Sequence, residues 1–310
     1  KWIKKKLPKS KIDFKSLKKI KIKDALIKIL SSANHSNKSW VTSQYDQMVM
    51  CDTVQKSGAD AALIRIHGKE KTIAVSVDSS ANYCKAHPLT GGKQIVCENW
   101  RNLISVGAKP VAITNCLNFG NPEDPKIMGE FAECLIGIKE ACEFLNYPVV
   151  SGNVSFYNGT NKKNISPTPV IGGIGLIKKI ENPIDHQFKN ENSCIFVVGK
   201  TFGHLEQSVF LEEIHSINVG QPPEVNLLNE KNNGKSILKI IENGLADSIH
   251  DISSGGLLVG LAEMSLGSNF GVKVNKPRNL TNLIEYFFGE DQSRYILEIK
   301  RAHEKKVKKI

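Results

Sequence analysis

The feature that most constrains the fold is an amphipathic helix predicted between two short segments rich in Asn, Gly, Ser and Thr. Apolar residues recur at spacings of three and four from Ile127 to Leu145, and Pro125 stands where the start of a helix tolerates proline. The first polar segment begins at Thr114 and the second ends at Asn158, and we expect both to be loops. Such loops are costly to order and offer N–H groups, amide oxygens and hydroxyls, so they favour a bound phosphate or magnesium-nucleotide.

Composition predicts a folded chain with a large core and no membrane segment. The 310 residues are 40% hydrophobic, which is enough for two domains. No apolar run reaches the roughly 18 residues of a membrane span, and the basic residues 1–28 are not followed by the apolar core of a signal peptide. The seven cysteines are scattered without a C-x-x-C pair, so we expect neither disulfides nor a zinc site, and a cytoplasmic protein.

The net charge of +11 is compatible with nucleic-acid binding, but the distribution of the charge argues against it. Nearly all basic residues are Lys, and they concentrate at 1–28 and 300–309. These Lys runs carry no interleaved aromatic residues apart from Trp2 and Phe14. A coding bias towards Lys, Asn and Ile explains the charge, so we expect no nucleic-acid partner.

Local patterns alternate between helix and strand spacing, which predicts an α/β or α+β class rather than an all-β one. Helices are predicted at about 23–30, 94–106, 127–145, 236–243 and 257–266. Strands are predicted at about 63–66, 73–77, 111–114, 148–150, 170–177, 194–198 and 294–299. A charged stretch at 178–192 predicts a domain boundary. The expected organisation is a Lys-rich, weakly packed lead-in with a helix at 1–36, one domain at 37–182 and a second at 191–310.

The segment 151–155 is the first candidate site. We expect its strand to end in a turn, where Gly152 lets a ligand approach the backbone. Asn153 can offer an amide oxygen to Mg²⁺, and Ser155 can offer a hydroxyl to a phosphate or an amide. An ordinary loop, in which the Ser and Asn side chains cap a local turn, explains the same residues.

The segment 250–256, before a predicted helix, is the second candidate. Asp251 and Ser253 place a carboxylate and a hydroxyl beside two glycines, at the positive end of the helix. A plain N-cap by Ser253 or Ser254 is an equally good interpretation.

Glu98 and Asn102 are the third candidate, because residues four apart share one face of a helix. Such a pair usually faces solvent, and a third ligand such as Asp60 or Asp251 would convert it into a metal site. The sequence has no Walker A motif, no G-x-G-x-x-G after a strand and no zinc motif, so none of these classes is indicated.

Taken together, these segments resemble the synthetase subunit of the phosphoribosylformylglycinamidine synthase family. The matching runs keep the family order and lie at 44–46, 57–62, 100–103, 106–110, 117–122, 151–158, 167–169, 250–253 and 288–292. The resemblance covers only the second half of that subunit, which consists of two copies of a unit like aminoimidazole ribonucleotide synthetase. It implies an N-domain with a mixed sheet backed by helices. An α/β C-domain follows, and we expect it to be incomplete, with its last segment missing or replaced by the Lys-rich end at 301–310.

The reaction that this resemblance implies belongs to de novo purine biosynthesis. ATP phosphorylates the formyl amide oxygen of formylglycinamide ribonucleotide to an iminophosphate, and glutamine-derived ammonia displaces phosphate to give formylglycinamidine ribonucleotide. The implied cofactors are ATP and Mg²⁺. The implied partners are the first half of the synthetase, which supplies the catalytic His, a glutaminase subunit and a small accessory subunit. We therefore expect no catalytic residue in this chain and no activity from it alone.

The resemblance also implies two sets of binding residues. At an active site shared with the first half, Asn115 and Gly152 would contact ATP, Asn153 would bind Mg²⁺, and Ser155 would touch the substrate. Asn115 stands where many members have Asp, which keeps the hydrogen-bond acceptor but loses the charge. An auxiliary, non-reacting nucleotide would lie near Ala59 and Ser253, with metal ligands at Asp60, Glu98, Asn102 and Asp251. Ser254 stands where Asp is usual.

Four interpretations are open at this point. In the first, the chain is the second half of the amidoligase. In the second, it is a scaffold that only holds a structural nucleotide, and these two can both be true. The first needs Asn153 and Ser155 at a shared active site, whereas the second needs the four auxiliary metal ligands to converge. The segment 117–122 speaks against a related synthetase of aminoimidazole ribonucleotide, selenophosphate or thiamine phosphate, and a nucleic-acid binder comes last. The surface that packs on the first half should be unusually apolar.

Overall fold

Helices and strands alternate along the chain, whose computed structural model describes residues 2–10, 12–14, 17, 19–161, 163–179, 183–275 and 282–310. The strands are β1 (Thr53–Gln55), β2 (Ala62–Arg65), β3 (Thr72–Asp78), β4 (Lys109–Asn118), β5 (Val149–Ser155), β6 (Gly159–Thr160), β7 (Lys163–Asn164), β8 (Thr168–Ile177), β9 (Cys194–Val198), β10 (Ser248–Asp251) and β11 (Tyr295–Ile299). The α-helices are α1 (Ile22–Leu30), α2 (Ser39–Thr42), α3 (Ala81–Ala86), α4 (Pro88–Ser105), α5 (Pro125–Leu145), α6 (Val209–His215), α7 (Leu227–Glu242), α8 (Gly256–Leu266), α9 (Leu283–Phe288) and α10 (Glu304–Val307). Short 3₁₀ helices lie at Val49–Cys51 and Arg301–His303.

Six strands form one mixed sheet in the order β1-β2-β3-β8-β4-β5. β4 and β5 are parallel and are joined through α5, while the other neighbours are antiparallel. Side chains alternate between the two faces, so Ala74 and Ile171 are buried on the face that α4 and α5 cover. The opposite face stays open.

The hydrophobic core continues from this sheet into a second, antiparallel sheet with the order β10-β11-β9. α4 joins the two, because it packs against α5 and β8 and also against α7 and β10. Gly234 of α7 lets the ring of Trp100 approach closely, since a Cβ at this position would collide with that ring. One core therefore serves both of the predicted domains.

Two helices are longer than the sequence predicts. α4 begins at Pro88. The sequence predicts a start near 94 because Gly91 and Gly92 interrupt the apolar pattern. These glycines nevertheless belong to the helix, where they allow close packing on Cys84 of α3 and Cys134 of α5. α7 begins at Leu227, well before the predicted start at 236. The prediction missed its first turns because they are mostly polar and carry no apolar periodicity.

The described residues of the lead-in before α1 are mostly exposed, as expected of a weakly packed segment, and two backbone hydrogen bonds attach them to α5. The backbone N–H of Ile3 donates to the Pro125 carbonyl at 2.9 Å, and that of Lys5 donates to Glu133 Oε2 at 2.8 Å. α1 packs on α6 of the C-terminal part. The Lys-rich composition conceals these contacts, because the backbone and the few apolar side chains make them. Residues 1, 11, 15, 16 and 18 of the lead-in, and 180–182 of the predicted boundary, lie outside the described residues.

The open face of the large sheet is apolar on strands β2, β3 and β8. Val77 is 67% exposed and Ile174 is 46% exposed, on the neighbouring strands β3 and β8. Ile64 of β2 is also exposed on this face. An apolar surface of this kind is expected where the first half of the synthetase would pack, and that role stays a prediction.

Two further properties bear on the class of protein. Within the described ranges, no helix combines the length and apolar character needed to cross a membrane. All seven cysteines fall within those ranges, and all seven are free thiols.

Candidate functional site

Acidic side chains from both parts of the chain meet where the two sheets adjoin. Asp60 lies just before β2, and His250 and Asp251 end β10. Oxygen and nitrogen atoms of these three side chains lie within 4.8 Å of one another. His250 Nδ1 lies 2.6 Å from Asp60 Oδ1, and the backbone N–H of Asp251 donates to Asp60 Oδ2 at 3.3 Å. Asp60 and Asp251, which are far apart in sequence, are therefore neighbours in the fold.

The buried guanidinium of Arg101 accompanies this acidic cluster. It donates to Glu230 Oε1 at 2.7 Å and to Gln292 Oε1 at 3.1 Å. Its Nε lies 3.6 Å from Asp251 Oδ2, and neither atom has a hydrogen-bond partner among the described residues.

Burial raises the pKa of Asp251 well above its usual value, Asp60 adds to this effect, and Arg101 opposes it. His250 is a second cationic group here, because the neighbouring carboxylates Asp60 and Glu263 raise its pKa well above the usual value despite its burial. The carboxyl groups still outnumber these two cations, which favours a bound cation.

Asp78, at the end of β3, orients one of the predicted ligands. Its Oδ1 accepts a hydrogen bond from Asn102 Nδ2 at 2.8 Å, and its Oδ2 accepts one from Asn99 Nδ2 at 2.8 Å. The amide nitrogen of Asn102 is thereby occupied, so Oδ1 is the atom left for a metal. Burial, reinforced by the charge of Glu98, raises the pKa of Asp78 to about 7. Sequence reasoning missed Asp78, although a carboxylate that follows an apolar strand on its buried face is a usable signal.

Glu98 acts on this region through its charge. Burial is the main cause of the raised pKa of Asp78 and of Asp251, and the negative charge of Glu98 adds to both. Gln94, one turn earlier on α4, donates its Nε2–H to Glu98 Oε2. Gln94 is a second residue that sequence reasoning missed, and a buried glutamine on a helix gives no recognisable signal in a sequence.

Of the four predicted metal ligands, Asp60 and Asp251 contact each other directly. Glu98 acts on Asp251 only through its charge, and Asn102 is connected only through Asp78. Carboxylate and amide oxygens are the donors that Mg²⁺ prefers in proteins. Asp251 Oδ2 is a buried acceptor without a hydrogen-bond partner in the described part of the chain, which fits a cation. That these residues bind a metal stays a prediction.

The helix that follows Asp251 begins at a buried glycine turn rather than at a serine cap. The N-cap of α8 is Gly255, with a φ of 79° and no side-chain cap. Its N–H donates to Glu290 Oε1 at 2.7 Å. An N-cap by Ser253 or Ser254 is therefore wrong, because this left-handed position strongly favours glycine.

The residues predicted to lie near the auxiliary nucleotide flank the acidic cluster. Ala59 directly precedes Asp60, and Ser253 follows Asp251 by two residues. Both are half-buried, so each retains an accessible surface. Their contact with a nucleotide stays a prediction.

The residues predicted for the shared active site lie on the neighbouring parallel strands β4 and β5. The prediction that 114–118 and 151–155 form loops is therefore wrong. The register pairs Asn115 with Gly152, and Asn118 with Ser155. Turn-forming residues conceal these strands in the sequence, and β5 tolerates them because it is the edge strand of the sheet.

The two strands present these residues on opposite faces. Asn115 and Gly152 face α5, and a Cβ at position 152 would collide with Asn115 Oδ1. Asn153 and Ser155 alternate to the other face, where Asn153 is exposed and Ser155 Oγ accepts a hydrogen bond from Asn158 Nδ2 at 3.1 Å. The structure thus joins Asn115 to Gly152 and places Asn153 beside Ser155, but it does not put all four on one face.

A cavity of about 500 Å³ lies between α5 and this edge of the sheet. Asn115 and Tyr147 contribute to its lining. The Tyr147 hydroxyl donates to Asn99 Oδ1 at 2.7 Å, and Asn99 in turn donates to Asp78. A buried chain of hydrogen bonds therefore connects the wall of the cavity to the acidic cluster.

Comparisons with known sequences match the chain to the AIR synthase related protein family in two places. The N-terminal domain of the family matches residues 58–177, and the C-terminal domain matches residues 190–310. The phosphoribosylformylglycinamidine synthase subunit PurL of Pelagibacter ubique is 55% identical over 302 residues, which are 97% of this chain and 41% of the relative.

Solved structures agree with this match. Thermotoga maritima PurL complexed with ATP has a TM-score of 0.58 at 27% identity, and the same protein complexed with FGAR has a TM-score of 0.59 at 28% identity. Each comparison covers 86% of this chain, and 38% and 37% of the respective solved chains. The chain therefore spans well under half the length of these PurL relatives. It belongs to the AIR synthase related protein family, and the resemblance to phosphoribosylformylglycinamidine synthase and the α/β architecture predicted from its sequence are confirmed.

Proposed function

We propose that this chain is the second half of the synthetase subunit of an ATP-dependent amidoligase in purine biosynthesis. The amidoligase converts formylglycinamide ribonucleotide to formylglycinamidine ribonucleotide. The observation that carries the proposal is the 55% identity to a phosphoribosylformylglycinamidine synthase subunit over 97% of the chain. The complexes of the T. maritima relative with ATP and with FGAR support the two substrates.

In this proposal, the reaction takes place where the two halves of the synthetase meet. The formyl amide oxygen receives a phosphoryl group from ATP, and ammonia from a glutaminase subunit then displaces phosphate. On this chain, Asn115 and Gly152 contact ATP, Asn153 offers its amide oxygen to Mg²⁺, and Ser155 contacts the substrate. The exposed position of Asn153 on an edge strand is what a site completed by another polypeptide segment requires. The chain alone is inactive, because the first half supplies the catalytic His.

We also infer that this half holds a non-reacting magnesium-nucleotide at the acidic cluster. The contact of Asp60 with Asp251 supports this role, as does the Asp251 oxygen that accepts no hydrogen bond among the described residues. A bound Mg²⁺ would offset the negative charge of these carboxylates and of the nucleotide phosphates. Ala59 and Ser253 then lie beside the nucleotide.

The open apolar sheet face is our proposed contact with the first half of the synthetase. Val77 and Ile174 are exposed on this face. No side chain with a proposed binding role lies beside them on β3 or β8, so a contact with another polypeptide is our explanation for their exposure. The glutaminase and the small accessory subunit complete the proposed assembly on the strength of the family resemblance.

Isothermal titration with ATP and Mg²⁺ tests the auxiliary site. Wild type, Asp251→Asn and Asn153→Ala are compared, with folding checked by circular dichroism. We expect binding to be lost in Asp251→Asn and kept in Asn153→Ala. Loss in Asn153→Ala alone would move the nucleotide to β5, and no binding by the folded wild type would remove the auxiliary site altogether.

Reconstitution tests the amidoligase itself. The chain is mixed with the first half of the synthetase and the glutaminase, and phosphate release from ATP is followed with formylglycinamide ribonucleotide and glutamine present. We expect release only when both halves are present, and a strong reduction with Asn153→Ala. A reassembled complex that releases no phosphate would contradict the proposal.

A further inference from the structure

Gln94 is a buried polar residue outside the predicted ligand set. It lies on α4 one turn before Glu98 and two turns before Asn102, so the three side chains occupy one face of the helix. Only 2% of Gln94 is exposed. Two of the three residues in this row are proposed metal ligands, and Gln94 extends the row towards the N-terminus of α4.

The side-chain amide of Gln94 is only half satisfied. Its Nε2–H donates to Glu98 Oε2. This orientation of the amide follows from chemistry, because an ionised carboxylate accepts hydrogen bonds and cannot donate them. The other end, Oε1, is buried and has no hydrogen-bond partner among the described residues. An unpaired buried acceptor destabilises a fold, and an apolar side chain of the same size would avoid that penalty.

We propose that Gln94 is a further binding residue of the magnesium-nucleotide site, and this inference rests on the auxiliary site proposed above. Its Oε1 accepts a hydrogen bond from a water molecule bound to the cation, while its Nε2 holds Glu98 in position. Mg²⁺ in proteins usually retains several of its waters, and these waters are strong donors. A neutral amide suits this place, because a further carboxylate beside Glu98 would add to the repulsion that already raises the pKa of its neighbours.

The test compares nucleotide affinity with the stability of the ligand-free chain. Gln94→Met replaces the amide by an apolar side chain of similar volume, and Gln94→Leu is a second replacement in case the first packs poorly. We expect both variants to bind ATP with Mg²⁺ roughly tenfold more weakly than wild type, the scale found for residues that support metal ligands. The melting temperature without ligand should be unchanged or higher, because the unpaired oxygen is gone. Ser105→Ala, which removes a buried hydroxyl from the far end of α4, should leave the affinity unchanged.

Each other outcome overturns the inference. Unchanged affinity in the two Gln94 variants would show that Oε1 does not serve the ligand. A parallel fall in affinity and melting temperature would show that Gln94 is a structural residue. If wild type itself binds no magnesium-nucleotide, the auxiliary site fails together with this inference. If wild type binds, Asp251→Asn does not, and both Gln94 variants bind as wild type does, only the role of Gln94 fails.

Discussion

Asp78 Oδ1 accepts a hydrogen bond from Asn102 Nδ2 across 2.8 Å, and this contact determines which end of the Asn102 amide a ligand can use. A strand of the N-terminal sheet thereby sets the chemistry of a residue on α4. The same carboxylate accepts from Asn99, whose own oxygen is held by Tyr147. The acidic cluster therefore depends on a buried polar network and not only on the residues that face a cation.

Replacing Asp78 by Asn should weaken the binding of ATP with Mg²⁺ roughly ten- to a hundredfold. The variant should also lose about 1–3 kcal/mol of the free energy of unfolding, because one amide oxygen cannot replace a carboxylate that receives three donors. Titration calorimetry and urea unfolding measure the two effects. Asp46→Asn, on an exposed turn, is the matched control and should change neither. A folded Asp78→Asn chain with wild-type affinity would refute the orienting role.

Replacing Gly152 by Ala should destabilise the chain by about 1–3 kcal/mol, since the added Cβ collides with Asn115 Oδ1. Asn115→Ala removes the closest obstacle but leaves the Asn115 backbone oxygen 2.9 Å from the added Cβ, so the double variant should recover part of this loss. Urea unfolding of the four proteins gives the coupling between the two positions. Additive effects in the double variant would show that Asn115 does not lie over Gly152.

Glu290 should make stability depend on pH. Burial raises the pKa of this carboxyl from 4.5 to about 7. Between these values the folded chain holds a proton that the unfolded chain has released, so the free energy of unfolding falls as pH rises through this window. The contribution is complete below pH 4.5, is lost above about pH 7, and amounts to about 3 kcal/mol. Urea unfolding from pH 4.5 to 8 should show a shallower decline in Glu290→Gln than in wild type. Glu143→Gln, at an exposed site, should keep the wild-type slope.

Replacing Val77 by Lys should leave the stability of the isolated chain within about 0.5 kcal/mol, because the side chain is largely exposed. The same change should abolish association with the first half of the synthetase, since it buries a charge in an apolar contact. Co-purification and sedimentation measure the association. Val219→Lys alters an exposed valine away from the sheet and serves as the control. Undiminished association of Val77→Lys would exclude this face as the contact.

The fold was predictable where local periodicity is strong. α5 follows a clear apolar stripe, and β9 occupies the residues predicted for it, 194–198. β5 was not predictable in the same way, because Ser151, Gly152 and Asn153 are turn formers that an exposed edge strand can accept. The start of α4 was hidden by Gly91 and Gly92, whose role is close packing.

The candidate site was predictable only in part, for a different reason. Asp60 and Asp251 lie on separate elements, and their spacing in sequence carries no information about their contact. Family resemblance paired them, and the fold brings them together. Asp78 and Gln94 were not predicted as site residues, because their roles depend on hydrogen-bond partners that only the folded structure brings together.

The core that α4 shares with the C-terminal part limits how this chain can be divided or recombined. Trp100 belongs to the segment that matches the N-terminal family domain, and Gly234 belongs to the segment that matches the C-terminal one. A chimeric chain with the C-terminal domain of a distant relative would pack the α7 of that relative against Trp100. Any side chain at position 234 would collide with the Trp100 ring. The two modules should therefore be inherited as a pair, with changes at 100 and 234 appearing together in the lineages that carry them.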